Sequence, residues 1–329
     1  RTRAKDVLKK NATNIKFVCI IGLWTDVPPF QLDNPAQSWE DIDTFCITDA
    51  PYGCIVEVTD AFSSIPDIPV GRIPSTNLSI ISEALFTPPS KHEISNLFMF
   101  GVTALCWSEA TDYVVSRFLE KGHKNKVIQS PTVSLKDSEK SILTSPGWSD
   151  DELCKALKQT GIKENAILLF NVHGGPEDTE WVGEDLDRNY VPIFRPGTID
   201  QFNSAVMFTE ACYGGAMGYD TQSVVEHFFE NGGKAFVGCS VIAYGSPNSN
   251  ISGADVLALN FFLALKNGLN FGEALTTGKL EVLVDDPMCN EVSSKTVMSF
   301  NLFGAPWHQL KESSNDVQNS PRIAGESAL

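Results

Sequence analysis

Two residues in this chain match in type and in setting. His173 directly follows the apolar run Ala166–Val172 (AILLFNV), and Cys212 lies just beyond Ser204–Phe208 (SAVMF). They stand 39 positions apart, and each is followed by glycines, Gly174-Gly175 and Gly214-Gly215. An unassisted thiol has a pKa of about 8.5 and is mostly protonated at neutral pH, so a nearby imidazole or a helix N-terminus must raise its thiolate fraction. The glycines meet the other requirement. They let bare backbone approach a substrate, and the N–H groups of Gly174 and Cys212 are placed to hold an oxyanion. A single core histidine or cysteine is usually structural; two placed alike after buried runs make a site. The other histidines (His92, His123, His227 and His308) read as solvated residues of loops, a helix and the late chain.

The elements that must carry this pair follow from the pattern of the chain. Ile15–Leu23, Leu97–Leu105, Ala166–Val172, Ser204–Phe208, Lys234–Gly238 and Val297–Leu302 are short apolar runs, as expected for strands buried on both faces of a sheet. Helical spacing or capping marks Ala110–Leu119, Ser149–Gln159, Gln222–Glu230, Ala254–Lys266 and Phe271–Lys279, and Val127–Ile128 reads as a short strand. Strands alternating with helices predict an α/β fold with a mostly parallel sheet, and such sheets bind ligands at the carboxyl ends of their strands.

Composition bounds the function. The 329 residues are 42% hydrophobic and 20% charged, the balance of a globular chain with a sizeable core. A net charge of -16 repels phosphate backbones and anionic lipid, so no nucleic-acid partner is expected. No apolar run reaches the length of a membrane span. Eight cysteines without a C-x-x-C pair argue against a zinc ribbon or redox dithiol and lean toward a reducing, cytoplasmic setting, with secretion as the alternative. Cys19, Cys106 and Cys154 read as small core residues. P-loop, dinucleotide and H-E-x-x-H motifs are absent, so neither an organic cofactor nor a catalytic metal is expected. The acid pairs Asp41/Asp43, Asp185/Asp187 and Asp285/Asp286 suit a structural calcium ion or, equally, a solvated acidic surface.

Phe170-Asn-Val-His173-Gly174-Gly175, followed by Trp181, resembles the His-Gly segment of gingipain-type cysteine peptidases, relatives of caspases, legumain and clostripain. Glu210-Ala-Cys212-Tyr-Gly214-Gly215 resembles their nucleophile segment. Pro66-Asp-Ile-Pro-Val-Gly-Arg72-Ile-Pro74, Gly272-Glu-Ala-Leu275 and Asn301-Leu-Phe-Gly-Ala-Pro306 are similar to three further family segments. Gly175 stands where the family usually has Ser, and Ala305 where it has Asp. The immunoglobulin-like domain that often follows in secreted members is not seen, which argues against an extracellular virulence role.

The resemblance implies a caspase-like α/β/α sandwich. Its parts would be an N-terminal subdomain over 1–106, a catalytic one over 107–310 and a polar tail over 311–329. It implies a cysteine endopeptidase acting on protein or peptide substrates, with Cys212 as nucleophile, His173 as proton carrier and Gly174 in the oxyanion hole. Glu109, then Asp112, are expected to supply a pocket carboxylate for a basic residue before the cut, with Tyr244 as a pocket wall and Glu210 and Trp181 also at the substrate. Caspase-like peptidases often act on few targets, so a restricted set of partner proteins is expected. Two other readings stand beside it: an α/β-hydrolase-like thiol esterase, and an inactive caspase-like scaffold. The elbow of the first needs Gly two residues before the nucleophile, where this chain has Glu210.

Overall fold

Alternate residues of the strongest apolar runs face opposite ways, and both faces are covered. In the computed structural model, Ile167 and Leu169 enter one core and Leu168 and Phe170 the other. Val206 and Phe208 likewise oppose Met207, and Ala235 and Val237 oppose Phe236. This is the period-two signature of strands sandwiched between helical layers. The structure describes residues 2–38, 40–87, 99–119, 142–144, 167–176, 180–184, 190–199, 202, 205–217, 222–286, 288 and 290–310.

Twelve strands occur among these residues. They are β1 Val18–Ile21, β2 Phe30–Asp33, β3 Phe45–Thr48, β4 Val70–Ile73, β5 Met99–Thr103, β6 Ile142–Thr144, β7 Ile167–Asn171, β8 Trp181–Glu184, β9 Tyr190–Phe194, β10 Val206–Thr209, β11 Ala235–Cys239 and β12 Phe300–Gly304. Eight form the central sheet in the order β1-β4-β12-β11-β10-β7-β5-β6, and β2-β3 and β8-β9 are separate antiparallel pairs. Every pairing in the central sheet is parallel except β11 with β12. The helices Ser108–Leu119, Ala254–Lys266 and Phe271–Asp285 contribute to the core on one face. Val224–Glu230 packs into the aromatic core on the other, beside Phe202, Phe236 and Trp181. The fold is the expected α/β sandwich with a mostly parallel sheet.

The boundary expected at residue 106 falls just after β5, which pairs with β7 and β6. The early strands β1 and β4 instead join through β12. Arg72 on β4 fastens that edge. It is fully buried, and its Nε and Nη2 donate to the two Asp49 oxygens at 2.7 and 2.6 Å. Its remaining donors reach the carbonyls of Gly22, Leu23 and Val27 at 2.9, 3.1 and 2.9 Å, so every guanidinium N–H is used.

Two sequence expectations shift. The strand expected from Val297 begins only at Phe300, because residues 291–299 form the helix Glu291–Ser299 capped by the Asn290 side chain. Its polar residues Ser293, Ser294, Lys295 and Thr296 are buried, so composition concealed it. His227 and His308, expected at the surface, are buried, and His227 is tied to Gly197 N–H and the Ile199 carbonyl. Cys106, expected in the core, is exposed. The expectations for Val127–Ile128, Ser149–Gln159, His92, His123, Cys154, Asp185, Asp187 and the tail 311–329 lie outside the described residues. Among the described residues no helix is long and apolar enough to cross a membrane.

Candidate active site

Strands β7 and β10 are neighbours with a fixed register, Ile167 opposite Val206 and Phe170 opposite Thr209. That offset is the 39 residues separating His173 from Cys212, so the sheet brings the two side chains to the same level just beyond adjacent strand tips. The ladder continues one step further through Glu210 N–H to the Phe170 carbonyl at 2.7 Å. The two tips then touch. A Cβ on Gly174 would lie 2.2 Å from the Cys212 carbonyl oxygen, so only glycine fits there. Among the described residues the N–H groups of Gly174 and Cys212 donate to no backbone carbonyl.

His173 is held by the β8–β9 hairpin. Its backbone exchanges two hydrogen bonds with Val182, at 2.9 and 3.0 Å. Two residues further along β8, the Glu184 carboxylate lies 2.9 Å from His173 Nε2. The ring is flanked by Trp107 at 4.4 Å and Tyr190 at 4.9 Å between centroids. A carboxylate on one nitrogen and two aromatic walls fix the imidazole plane. Sequence reasoning missed Glu184, Trp107 and Tyr190. The alternation in Trp181-Val-Gly-Glu184 signalled a strand, but only the hairpin pairing shows which residues meet the histidine.

Cys212 sits in a turn braced from several sides. Tyr213 has φ +55°, in the left-handed region that a tyrosine rarely adopts, and it is the sole non-glycine residue there among those described. Its N–H donates to the Val241 carbonyl and the Gly215 N–H to Cys239, both at 2.8 Å. The Cys212 sulfur lies 3.7 Å from the Ala243 carbonyl, and burial pushes its thiol pKa up, so the resting form is the neutral thiol.

Two acidic groups flank this turn. On one side the Asp43 carboxylate accepts the Tyr213 hydroxyl at 2.6 Å and the Ile242 N–H at 2.8 Å. Lys295 Nζ donates to Asp41 and Asp43 at 2.6 and 2.9 Å, and the Tyr244 hydroxyl donates to Asp41 at 2.8 Å. Burial alone would push Asp43 up, but Tyr213, Ile242 and Lys295 outweigh it and hold its pKa below the usual value. On the other side Glu210 is buried, and among the described residues neither carboxyl oxygen finds an N–H or hydroxyl donor. Its neighbour is the buried Asp255 carboxyl: a Cβ on Gly245 would lie 2.9 Å from Asp255 Oδ2 and 3.3 Å from Glu210 Oε2. Asp255 itself accepts from Ser246 N–H at 2.6 Å and Asn171 Nδ2 at 3.3 Å. Burial, and then Asp255, drive the Glu210 pKa well up, so the two carboxyls hold a proton between them.

These contacts correct several expectations. Trp181 is a core residue stacked on Phe194 at 5.0 Å, and Glu210 is sealed beneath the turn, so neither side chain is open to a substrate. Asp41 and Asp43 both pair with Lys295, and one Asp286 oxygen accepts the Asn290 N–H. The Tyr244 hydroxyl is committed to Asp41, while its ring remains half-buried. Glu109 and Asp112 lie in the first turns of Ser108–Leu119, which begins immediately after Trp107; Glu109 is exposed.

The model of peptidase family C25 matches residues 124–311, more than half of the chain and including both strand tips. The fold is similar to that of the Arg-specific cysteine proteinase gingipain R, with a TM-score of 0.63 at 12% identity over 94% of this chain and 67% of that one. It is also similar to the complex of Porphyromonas gingivalis RgpB pro- and mature domains, with a TM-score of 0.60 at 13% identity over 94% and 69%. Among curated proteins nothing matches.

Proposed function

Since the chain belongs to peptidase family C25, we propose that it is a cysteine endopeptidase with Cys212 as nucleophile and His173 as proton carrier. The observation that carries this reading is the β7–β10 register, which sets the two residues level while Gly174 presses against the Cys212 carbonyl. His173, oriented by Glu184, takes the thiol proton as the sulfur attacks the scissile carbonyl. The oxyanion is held by the N–H groups of Gly174 and Cys212, each worth about 3 kcal/mol of transition-state stabilisation in comparable sites. Collapse passes the proton from His173 to the leaving amine and leaves a thioester, which water hydrolyses with His173 as base. Cys212→Ala and His173→Ala are each expected to abolish cleavage of a fluorogenic peptide while preserving the circular dichroism spectrum. Turnover like the unmodified protein's in either variant rejects the assignment. Loss of turnover throughout, with no preferential iodoacetamide labelling of Cys212, would favour the inactive scaffold instead.

Cleavage after a basic residue is supported by the acids that follow Trp107. Trp107 packs against His173 at a tilt, so Glu109 and Asp112 begin a helix beside the site. A structural neighbour described as Arg-specific agrees in direction. A bidentate Arg–carboxylate pair is the stronger of the basic options. Peptides differing only in the residue before the cut should be cleaved in the order Arg, Lys, then Asp, with Glu109→Gln or Asp112→Asn weakening the preference for Arg. A preference for Asp overturns the pocket. A restricted set of protein targets completes the reading, to be checked by mapping new N-termini in a treated proteome.

A further inference from the structure

We propose that Cys106, His173 and Glu184 form a binding site for zinc or a similar transition-metal ion, and that filling it switches the peptidase off. The Cys106 sulfur, a His173 ring nitrogen and a Glu184 carboxylate oxygen all lie within 4.8 Å of one another. They come from three separate segments: the turn Leu105–Trp107, the tip of β7 and strand β8. Each is anchored in backbone, since Ala104 N–H donates to the Asn171 carbonyl at 2.8 Å and His173 is paired with Val182. The group is therefore built by the fold and is not a chance meeting of mobile chains.

The donor set selects the ion. Sulfur, imidazole nitrogen and carboxylate oxygen together suit zinc, whereas calcium and magnesium favour oxygen alone. Zinc–ligand bonds of about 2.0–2.3 Å set tetrahedral donors about 3.5 Å apart, within side-chain adjustment of the observed spacing. Three protein ligands leave the fourth position to water. Cys106 is exposed, so an ion has access.

The same contacts explain the effect on activity, which rests on the Cys–His reading above. Binding releases the Cys106 thiol proton to solvent and forms bonds from the metal to sulfur, nitrogen and oxygen. The nitrogen facing Glu184 is Nε2. With the metal on Nε2, the ring proton must reside on Nδ1, and no lone pair remains on His173 to accept the proton of Cys212. Glu184 is drawn from orienting the ring to ligating the ion. The occupied site has lost its base.

Cobalt(II) titrated into chelator-treated protein tests this without relying on catalysis. The expected result is one equivalent bound with a thiolate-to-cobalt charge-transfer band. Cys106→Ser should lose that band and bind about tenfold or more weaker, while Cys212→Ala keeps both. In peptide assays zinc should inhibit the unmodified protein and a chelator restore it. Cys106→Ser should keep basal turnover and resist zinc by about the factor lost in binding. A band that survives Cys106→Ser and vanishes in Cys212→Ala, or no cobalt binding at all, overturns the site. If no variant cleaves peptide, the band still reports the metal, so failure of the peptidase reading is distinguishable from failure of this one.

Discussion

The two acidic groups on either side of Cys212 are built from the same carboxylates and behave oppositely. Asp41 and Asp43 meet a buried lysine and two tyrosine hydroxyls, and Asp43 is held ionised. Glu210 and Asp255 are as deeply buried, but among the described residues no cation pairs with Glu210, and its pKa is driven well up. Burial penalises both groups; one ammonium group decides the sign. The charged side acts as a clamp from distant chain segments onto Tyr213, whose backbone is strained. The other side shares one proton between its two carboxyls, so one negative charge and not two lies beneath the turn that holds Cys212.

Removing the cation should be the most damaging way to break this contrast. Lys295→Met leaves two buried carboxylates facing each other, and a loss of about 3–5 kcal/mol in chemical denaturation is expected. If that variant remained as stable as the parent, the clamp would contribute nothing. The pH dependence comes next. The raised Glu210 and Asp255 pKa values mean that the folded protein holds a proton the unfolded chain releases, so their contribution is complete below the unfolded glutamate value of 4.5 and is lost as pH rises through the folded value. Asp43 has the opposite sign: its contribution is present above its ordinary value of 3.8 and is lost as pH falls through its depressed one. In Glu210→Gln, where an amide donates the hydrogen bond that the shared proton supplies, the decline toward high pH should disappear, with a change of only about 1 kcal/mol at neutral pH. An unchanged pH profile would show that the pair is ionised. The smallest effect is expected from Tyr213→Phe, which removes one donor from Asp43: about 1–2 kcal/mol of stability and a fall in kcat larger than any change in KM.

This contrast also marks how far the sequence could be read. His173 and Cys212 were legible because a strand register preserves sequence spacing: the count of 39 between them is the count between paired residues of β7 and β10. The central strands were legible for the same reason, since burial on both faces demands unbroken apolar runs. Glu184 was not, because it depends on how a hairpin folds back on His173. Asp41 and Asp43 were visible as acids but read as possible calcium ligands, their lysine lying more than 250 positions away in an unpromising polar helix. Glu210 and Trp181 lay inside the most telling motifs and were placed at the substrate. A motif locates a segment, but only packing tells which of its side chains turn inward.

The position of β12 bears on how the fold comes into being. It pairs with β4 on one side and β11 on the other, and its Asn301 Oδ1 accepts from Thr48 and Asp49, more than 250 positions earlier. During synthesis the first two sheet strands therefore wait for almost the last described residues before they find their place. Such long-range closure makes folding slow. It also times the assembly of the site. The lysine that pairs with Asp41 and Asp43 belongs to the helix directly before β12, so the emerging polypeptide carries Cys212 well before the brace on Tyr213 can form. Until the sheet is closed, the turn that holds Cys212 lacks that brace.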